Sequence, residues 1–219
     1  MRLDPRPLLV VFDWDGTLTD SAERIGGTFR RAMETIGAQA PDDDVSIRET
    51  IGLELPEAAK LLLPTAEPRD HTALVQAYRD HWLAADAPKP RLFEDTLDCL
   101  DALSSRGLWL AVATGKSRRG LDREMGQLGL ADRFVATRCA DETAGKPHPR
   151  MLRELMAERG VGPEQTVMVG DTTFDLDMAN NAGVRAVAVT TGTHAAERLR
   201  SRQPVACVRS VGLVVELLG

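Results

Sequence analysis

The chain has 219 residues, 43% hydrophobic and 27% charged, and its 33 acidic and 27 basic side chains give a formal net charge of -6. That length buries a sizeable core, as one large domain or as a core with an insert; a mean hydropathy of -0.20 and a pI near 5.3 exclude global disorder and a surface built to gather nucleic acid. Three cysteines, Cys99, Cys139 and Cys207, contain no CxxC pair for zinc or dithiol chemistry, and no apolar run reaches the ~18 residues of a membrane span.

Residues 1–7 have no cationic segment leading into an apolar run, so the expected address is the cytoplasm. Residues 8–12 form an unbroken β-rich run, the pattern of a strand buried on both faces, ending in Asp13-Trp14-Asp15-Gly16-Thr17. The interval 21–88 reads as helix throughout, punctuated by Pro41, Gly52, Pro56, Pro64 and Pro68, and is expected to be a helical insert. Within it Ser21 is placed to cap a helix that carries Ile25, Phe29, Ala32, Met33 and Ile36 on one face and ends at Gly37. Leu74, Ala77, Tyr78 and Trp82 make a second packing face.

Beyond the insert, strands are expected at 109–113, 134–137, 166–169 and 186–189, with helices around 95–105, 117–128, 149–159 and 174–181. This alternation predicts βαβ units and an α/β fold with a doubly wound, Rossmann-like parallel sheet, in which ligands sit beyond the carboxyl ends of the strands. The expected division is a catalytic core of residues 1–20 and 89–219 and a cap of residues 21–88.

Four strand ends carry chemistry. Asp13 and Asp15 stand at alternate positions after the first strand, and carboxylates held that close resist simultaneous ionisation, which suits a nucleophile and an acid/base. The strand at 109–113 ends in Thr114-Gly115-Lys116 ahead of a helix, offering a hydroxyl and free N–H groups to an anion. Lys146 precedes Pro147, where the chain is held extended before another helix. The strand at 166–169 ends in Gly170-Asp171-Thr172-Thr173-Phe174-Asp175, adding Asp171 as an oxygen ligand and Asp175 as a helix cap or support. Hard oxygen ligands around one crevice suit Mg2+ together with a substrate phosphate.

With these motifs the chain resembles the haloacid dehalogenase-like hydrolases over nearly its whole length, in particular their phosphoglycolate phosphatase-like branch with a helical cap after the first strand. The resemblance implies that Asp13 is the nucleophile that becomes an aspartyl phosphate and that Asp15 is the acid/base. It implies Asp13, Asp171 and the Asp15 backbone carbonyl as magnesium ligands, with Asp175 supporting. Thr114, the Gly115 amide and Lys146 are implied to hold the phosphoryl oxygens. The implied function is magnesium-dependent hydrolysis of a small phosphorylated metabolite, with 2-phosphoglycolate the first compound to try, by a monomer or homodimer without nucleic-acid or membrane partners.

The alternative is a sugar phosphomutase of the β-phosphoglucomutase type. Those enzymes carry a cap histidine about twelve positions after the nucleophile, where this chain has Ile25. Among cap residues, Arg24, Arg48, Glu54 and Glu57 are candidates to line the entrance, because the segment 48–57 resembles the substrate loop of such caps.

Overall fold

The computed structural model describes residues 4–218; Met1 to Leu3, the start of the N-terminal segment considered above, and Gly219 lie outside the described residues. Strand β1 (Leu9–Phe12) leads into four helices, α1 (Ala22–Thr35), α2 (Asp44–Arg48), α3 (Leu55–Leu62) and α4 (Pro68–Leu83). There follow α5 (Thr96–Ser105), β2 (Trp109–Thr114), α6 (Arg118–Leu128), β3 (Ala136–Cys139), α7 (Arg150–Arg159) and β4 (Thr166–Gly170). The chain closes with α8 (Thr173–Ala182), β5 (Arg185–Val189), α9 (Ala196–Arg200), β6 (Ala206–Val208) and α10 (Val214–Leu218).

The strands form one parallel sheet in the order β3-β2-β1-β4-β5-β6. The chain leaves β1 toward β2 and β3, then crosses back to β4 on the other side, so the winding reverses beside β1. That reversal opens a crevice at the carboxyl ends of β1 and β4.

The unbroken apolar run of β1 follows from its central place. Val10 and Phe12 point into one core with Leu100 and Leu103 of α5, Leu121 and Met125 of α6 and Val214 of α10. Leu9 and Val11, on the opposite face by the two-residue period of a strand, pack with Leu152 and Leu155 of α7 and Leu176 and Ala179 of α8. A Phe12→Ala truncation here would cost about 3–5 kcal/mol.

Residues 22–83 pack a core of their own: Ile25, Phe29 and Met33 of α1 meet Leu74, Tyr78 and Trp82 of α4, with Ile47 and Ala59 from the short helices. The Phe29 and Tyr78 rings are 4.4 Å apart and Tyr78 stacks on Trp82 at 5.6 Å. Pro56 and Pro68 sit in the first turns of α3 and α4, where a missing N–H costs no helical bond.

Two local expectations are corrected, and three elements are added to those expected. Ser21 occupies the position before α1, but its side chain makes no capping bond and its Oγ is buried without a partner. The strand expected at 134–137 lies two residues later, at Ala136–Cys139, and follows a short 3-10 turn, Ala131–Arg133. Strand β6 and helices α9 and α10 were not anticipated; β6 is three half-buried residues on the sheet edge, too short to leave a period. No helix among the described residues is long and apolar enough to cross a membrane.

Candidate active site

The chain leaving β1 is pinned before it turns: the Asp13 N–H donates to the Val169 carbonyl of β4 at 2.9 Å. The Trp14 carbonyl then accepts from the Leu18 and Thr19 N–H groups, both at 3.0 Å, closing a tight loop. Gly16 makes this loop possible. Its φ is +84°, and a Cβ there would lie 2.4 Å from Asp171 Oδ2, so no other residue fits without moving Asp171. The loop thereby brings the Thr17 hydroxyl to Asp171 Oδ1 at 2.9 Å, while the Thr193 N–H donates to Asp171 Oδ2 at 3.1 Å.

Asp175 is fixed by the start of α8: its Oδ2 accepts from the Thr172 N–H at 3.0 Å and the Thr172 hydroxyl at 2.7 Å, a capping box closed in return by the Thr172 side chain. Its Oδ1 is 2.6 Å from Lys146 Nζ, which stands 2.5 Å from Asp13 Oδ1 on the other side. Asp13, Asp171 and Asp175 are at most 1% exposed and Lys146 is 4% exposed. Asp13 and Asp175 thus flank one buried ammonium, and the buried carboxylate of Asp171 stands beside them.

Burial, reinforced by the charge of Asp175, pushes the Asp13 carboxyl well above the usual range. The same causes push Asp171 up to about 7. Burial works against the charge of Lys146, but Asp13 and Asp175 overcome it and hold its pKa above the ordinary lysine value. The surplus of negative charge is matched by an unpartnered atom, Asp13 Oδ2, which is buried and makes no hydrogen bond.

Ligand oxygens of Asp13, Asp171 and Asp175 lie within 4.8 Å of one another. Three carboxylates that each offer a hard oxygen, one of them Asp13 with its orphaned Oδ2, fit a divalent cation of the magnesium type. The carboxylate of Asp15 is not part of this cluster.

Asp15 belongs to a second polar group. Lys116 Nζ donates to both Asp15 oxygens at 2.9 Å and lies 3.3 Å from Glu124 Oε2. Glu124 also accepts from the Trp14 indole N–H at 2.8 Å and pairs with Arg24 of the insert. Arg24 and Lys116 both lie over the Trp82 ring, at 3.7 and 4.3 Å from its centroid. Burial opposes the Lys116 charge, but Asp15 and Glu124 prevail and its pKa is raised.

Sequence reasoning gave no role to Lys116 and did not single out Glu124. A signal for Glu124 existed: it stands on the apolar face of α6 between Leu121 and Met125, where an acid needs a partner.

Thr114 ends β2, buried, and its Oγ1 accepts from the Lys116 N–H at 3.2 Å. At Gly115 a Cβ would stand 2.6 Å from the Gly52 carbonyl oxygen and 2.7 Å from that of Leu53, so the insert's backbone rests directly on this strand end. One cleft is shared by Asp13, Asp15, Thr114, Gly115 and Lys116, and the insert forms its opposite wall.

The charged candidates of the insert are not among the residues lining this cleft. Arg24 is turned to Glu124, and Arg48 lines a separate hollow beside Gly27 and Asp44. Glu57 pairs with Lys60 on the exposed side of α3, and Glu54 lies against Gly145. From the segment 48–57 the cleft is lined by Thr50, Ile51, Gly52, Leu53 and Leu55.

A family model described as haloacid dehalogenase-like hydrolase matches residues 10–189. The chain is 36% identical over 211 residues to "Probable phosphatase IndB" of Dickeya dadantii, covering 94% of this chain and 91% of that one. It is 32% identical over 221 residues to the phosphoglycolate phosphatase of Rhodospirillum rubrum, with coverage of 94% and 86%. A solved structure of a haloacid dehalogenase-like family hydrolase from Streptococcus pneumoniae superposes with a TM-score of 0.85 at 26% identity, covering 96% of this chain and 97% of that one.

Proposed function

The chain belongs to the haloacid dehalogenase-like hydrolases and is a phosphoric monoester hydrolase, and from that premise we propose that it cleaves a small-molecule phosphate monoester through an aspartyl phosphate on Asp13, with Mg2+ as cofactor. The observation that carries this reading is Asp13 itself: one oxygen is held by Lys146, the other is buried without a partner, and the residue lines the same cleft as Asp15 and Thr114.

In the first step Asp13 attacks phosphorus, the P–O bond to the alcohol breaks, and Asp15 gives a proton to the departing oxygen. In the second, Asp15 takes a proton from a water that attacks the aspartyl phosphate, releasing inorganic phosphate and restoring Asp13. Thr114, the Gly115 amide and Lys146 hold the phosphoryl oxygens, and Lys146 offsets charge that would repel the incoming dianion.

Asp13, Asp171 and the Asp15 carbonyl are assigned to the cation, with Asp175 beside them fixing Lys146. When bound, Mg2+ supplies neutralisation of the negative charge of phosphate and carboxylates. Residues 21–88 act as the cap that closes the cleft over the substrate and admits the attacking water, and the substrate is a free metabolite in the cytoplasm. Ile25 lines the cleft together with Asp13 and Asp15. An apolar group at that place cannot share in proton transfer to a sugar, which favours hydrolysis over phosphomutase chemistry.

The test is purified protein with a panel of phosphate monoesters that includes 2-phosphoglycolate, in Mg2+, followed by phosphorus NMR. Inorganic phosphate should accumulate. Conversion of β-glucose 1-phosphate to glucose 6-phosphate without release of phosphate would establish the mutase instead.

A further inference from the structure

The reaction above leaves the alcohol undefined, and the cleft wall narrows it. Beside Asp13, Asp15 and Thr114 the cleft is lined by Ile25 and Phe29 from α1, Ile51 and Leu53 from the connection between α2 and α3, and Tyr78 and Trp82 from α4. Leu53 is half-buried and the other five are at most 7% exposed.

Positive charge in the lining is committed or peripheral. Lys116 already faces Asp15 and Glu124, and Arg79 is exposed to solvent. Arg24, behind the wall, is paired with Glu124 and covered by Trp82. A leaving group bearing a carboxylate, as in 2-phosphoglycolate, would give up its hydration against apolar side chains and beside the Asp15 carboxylate. Among the described lining residues there is no uncommitted buried cation to receive it. An apolar body gains from the same burial.

Building on the phosphatase reading, we propose that the substrate is the phosphate monoester of an alcohol with an apolar body, an aliphatic chain or a single aromatic ring, which seats against the wall formed by α1, α4 and the 51–53 segment. The phosphoryl end lies at Asp13 and Thr114, and the apolar body extends from it under the insert.

The experiment compares kcat/KM for methyl, propyl, pentyl and benzyl phosphates with that for 2-phosphoglycolate, in Mg2+. The alcohols of the series are similar in acidity, so their intrinsic reactivity changes little and the slope reports burial. Each methylene should raise kcat/KM about two- to fourfold until the cleft is filled. Benzyl phosphate should exceed 2-phosphoglycolate by about tenfold or more. A flat series, or a preference for 2-phosphoglycolate, would overturn the inference while the phosphatase reading stands.

If none of these esters is hydrolysed, calorimetry with the stable analogues benzylphosphonate and phosphonoacetate decides the inference by itself. Tighter binding of benzylphosphonate supports it, and equal or weaker binding refutes it. In Leu53→Ser the ratio of benzyl ester to 2-phosphoglycolate turnover should drop several-fold; an unchanged ratio would mean the body does not sit on this wall.

Discussion

Lys116 Nζ stands 2.9 Å from each of the two carboxylate oxygens of Asp15, and the same ammonium reaches Glu124 at 3.3 Å. The pair joins two strand ends that are far apart in sequence, and it is 10% exposed or less on either side. A buried pair of this kind holds geometry: removal of one partner leaves the other charged and unsolvated.

Lys116→Met should therefore lower kcat on the order of 10²-fold, because Asp15 is no longer held at the cleft. Stability in urea should drop by about 3 kcal/mol as Asp15 and Glu124 lose their shared cation. Lys116→Arg should recover much of the stability and only part of kcat, since a planar guanidinium cannot reproduce a point charge under Trp82. Wild-type turnover in Lys116→Met would show that Asp15 is positioned by other contacts.

Asp13→Asn removes the proposed nucleophile and keeps the shape. Turnover should fall by about 10⁴-fold or more, with the far-UV circular dichroism unchanged. Because burial and the Asp175 charge disfavour the Asp13 carboxylate in the folded chain, the variant in chelator should unfold at a urea midpoint at least as high as that of the wild type. A lower midpoint would mean that the ion pair with Lys146 outweighs the cost of burying the charge.

Removal of divalent cations with excess chelator should abolish turnover, and Mg2+ should restore it. Ca2+ should bind and inhibit: its oxygen distances of about 2.3–2.6 Å, against about 2.0–2.1 Å for Mg2+, enlarge the site and displace the phosphoryl group from Asp13. Full turnover in chelator would remove the cation from the mechanism.

The thiols give a check that is independent of catalysis. Burial pushes the Cys99 and Cys139 thiols up to about 12, while Cys207 is half-buried. At pH 8 both buried sulfurs are neutral, and only the thiolate reacts. A disulfide reagent should therefore modify one thiol quickly, at Cys207, and the other two only at the rate of unfolding. Rapid reaction of all three would indicate that the sheet opens around β3 and α5.

The strand ends that carry the candidate site were legible because they are local patterns. Residues 8–12 are apolar without a break, and such a run ends where the strand leaves the sheet's core, so Asp13 and Asp15 fall at the edge of the sheet whatever the rest of the chain does. The same holds for Thr114 after β2 and for Asp171 after β4, and alternation with helices fixes that all these ends share one side of a parallel sheet. Strand β6 escaped notice because three half-buried residues carry no period.

The partners of charged side chains were decided by the tertiary structure alone. Arg24 and Glu124 are 100 residues apart, yet they pair beneath Trp82, and Arg24 turns away from the cleft where its position in the insert had suggested substrate contact. The 51–53 segment likewise presents Ile51 and Leu53 to the cleft while Glu54 is laid against Gly145. Spacing along the chain determines which element a residue joins and which edge it reaches. Which charge it meets, and whether a wall is apolar or ionic, follows from how the insert docks on the sheet, a contact between segments that no local pattern encodes.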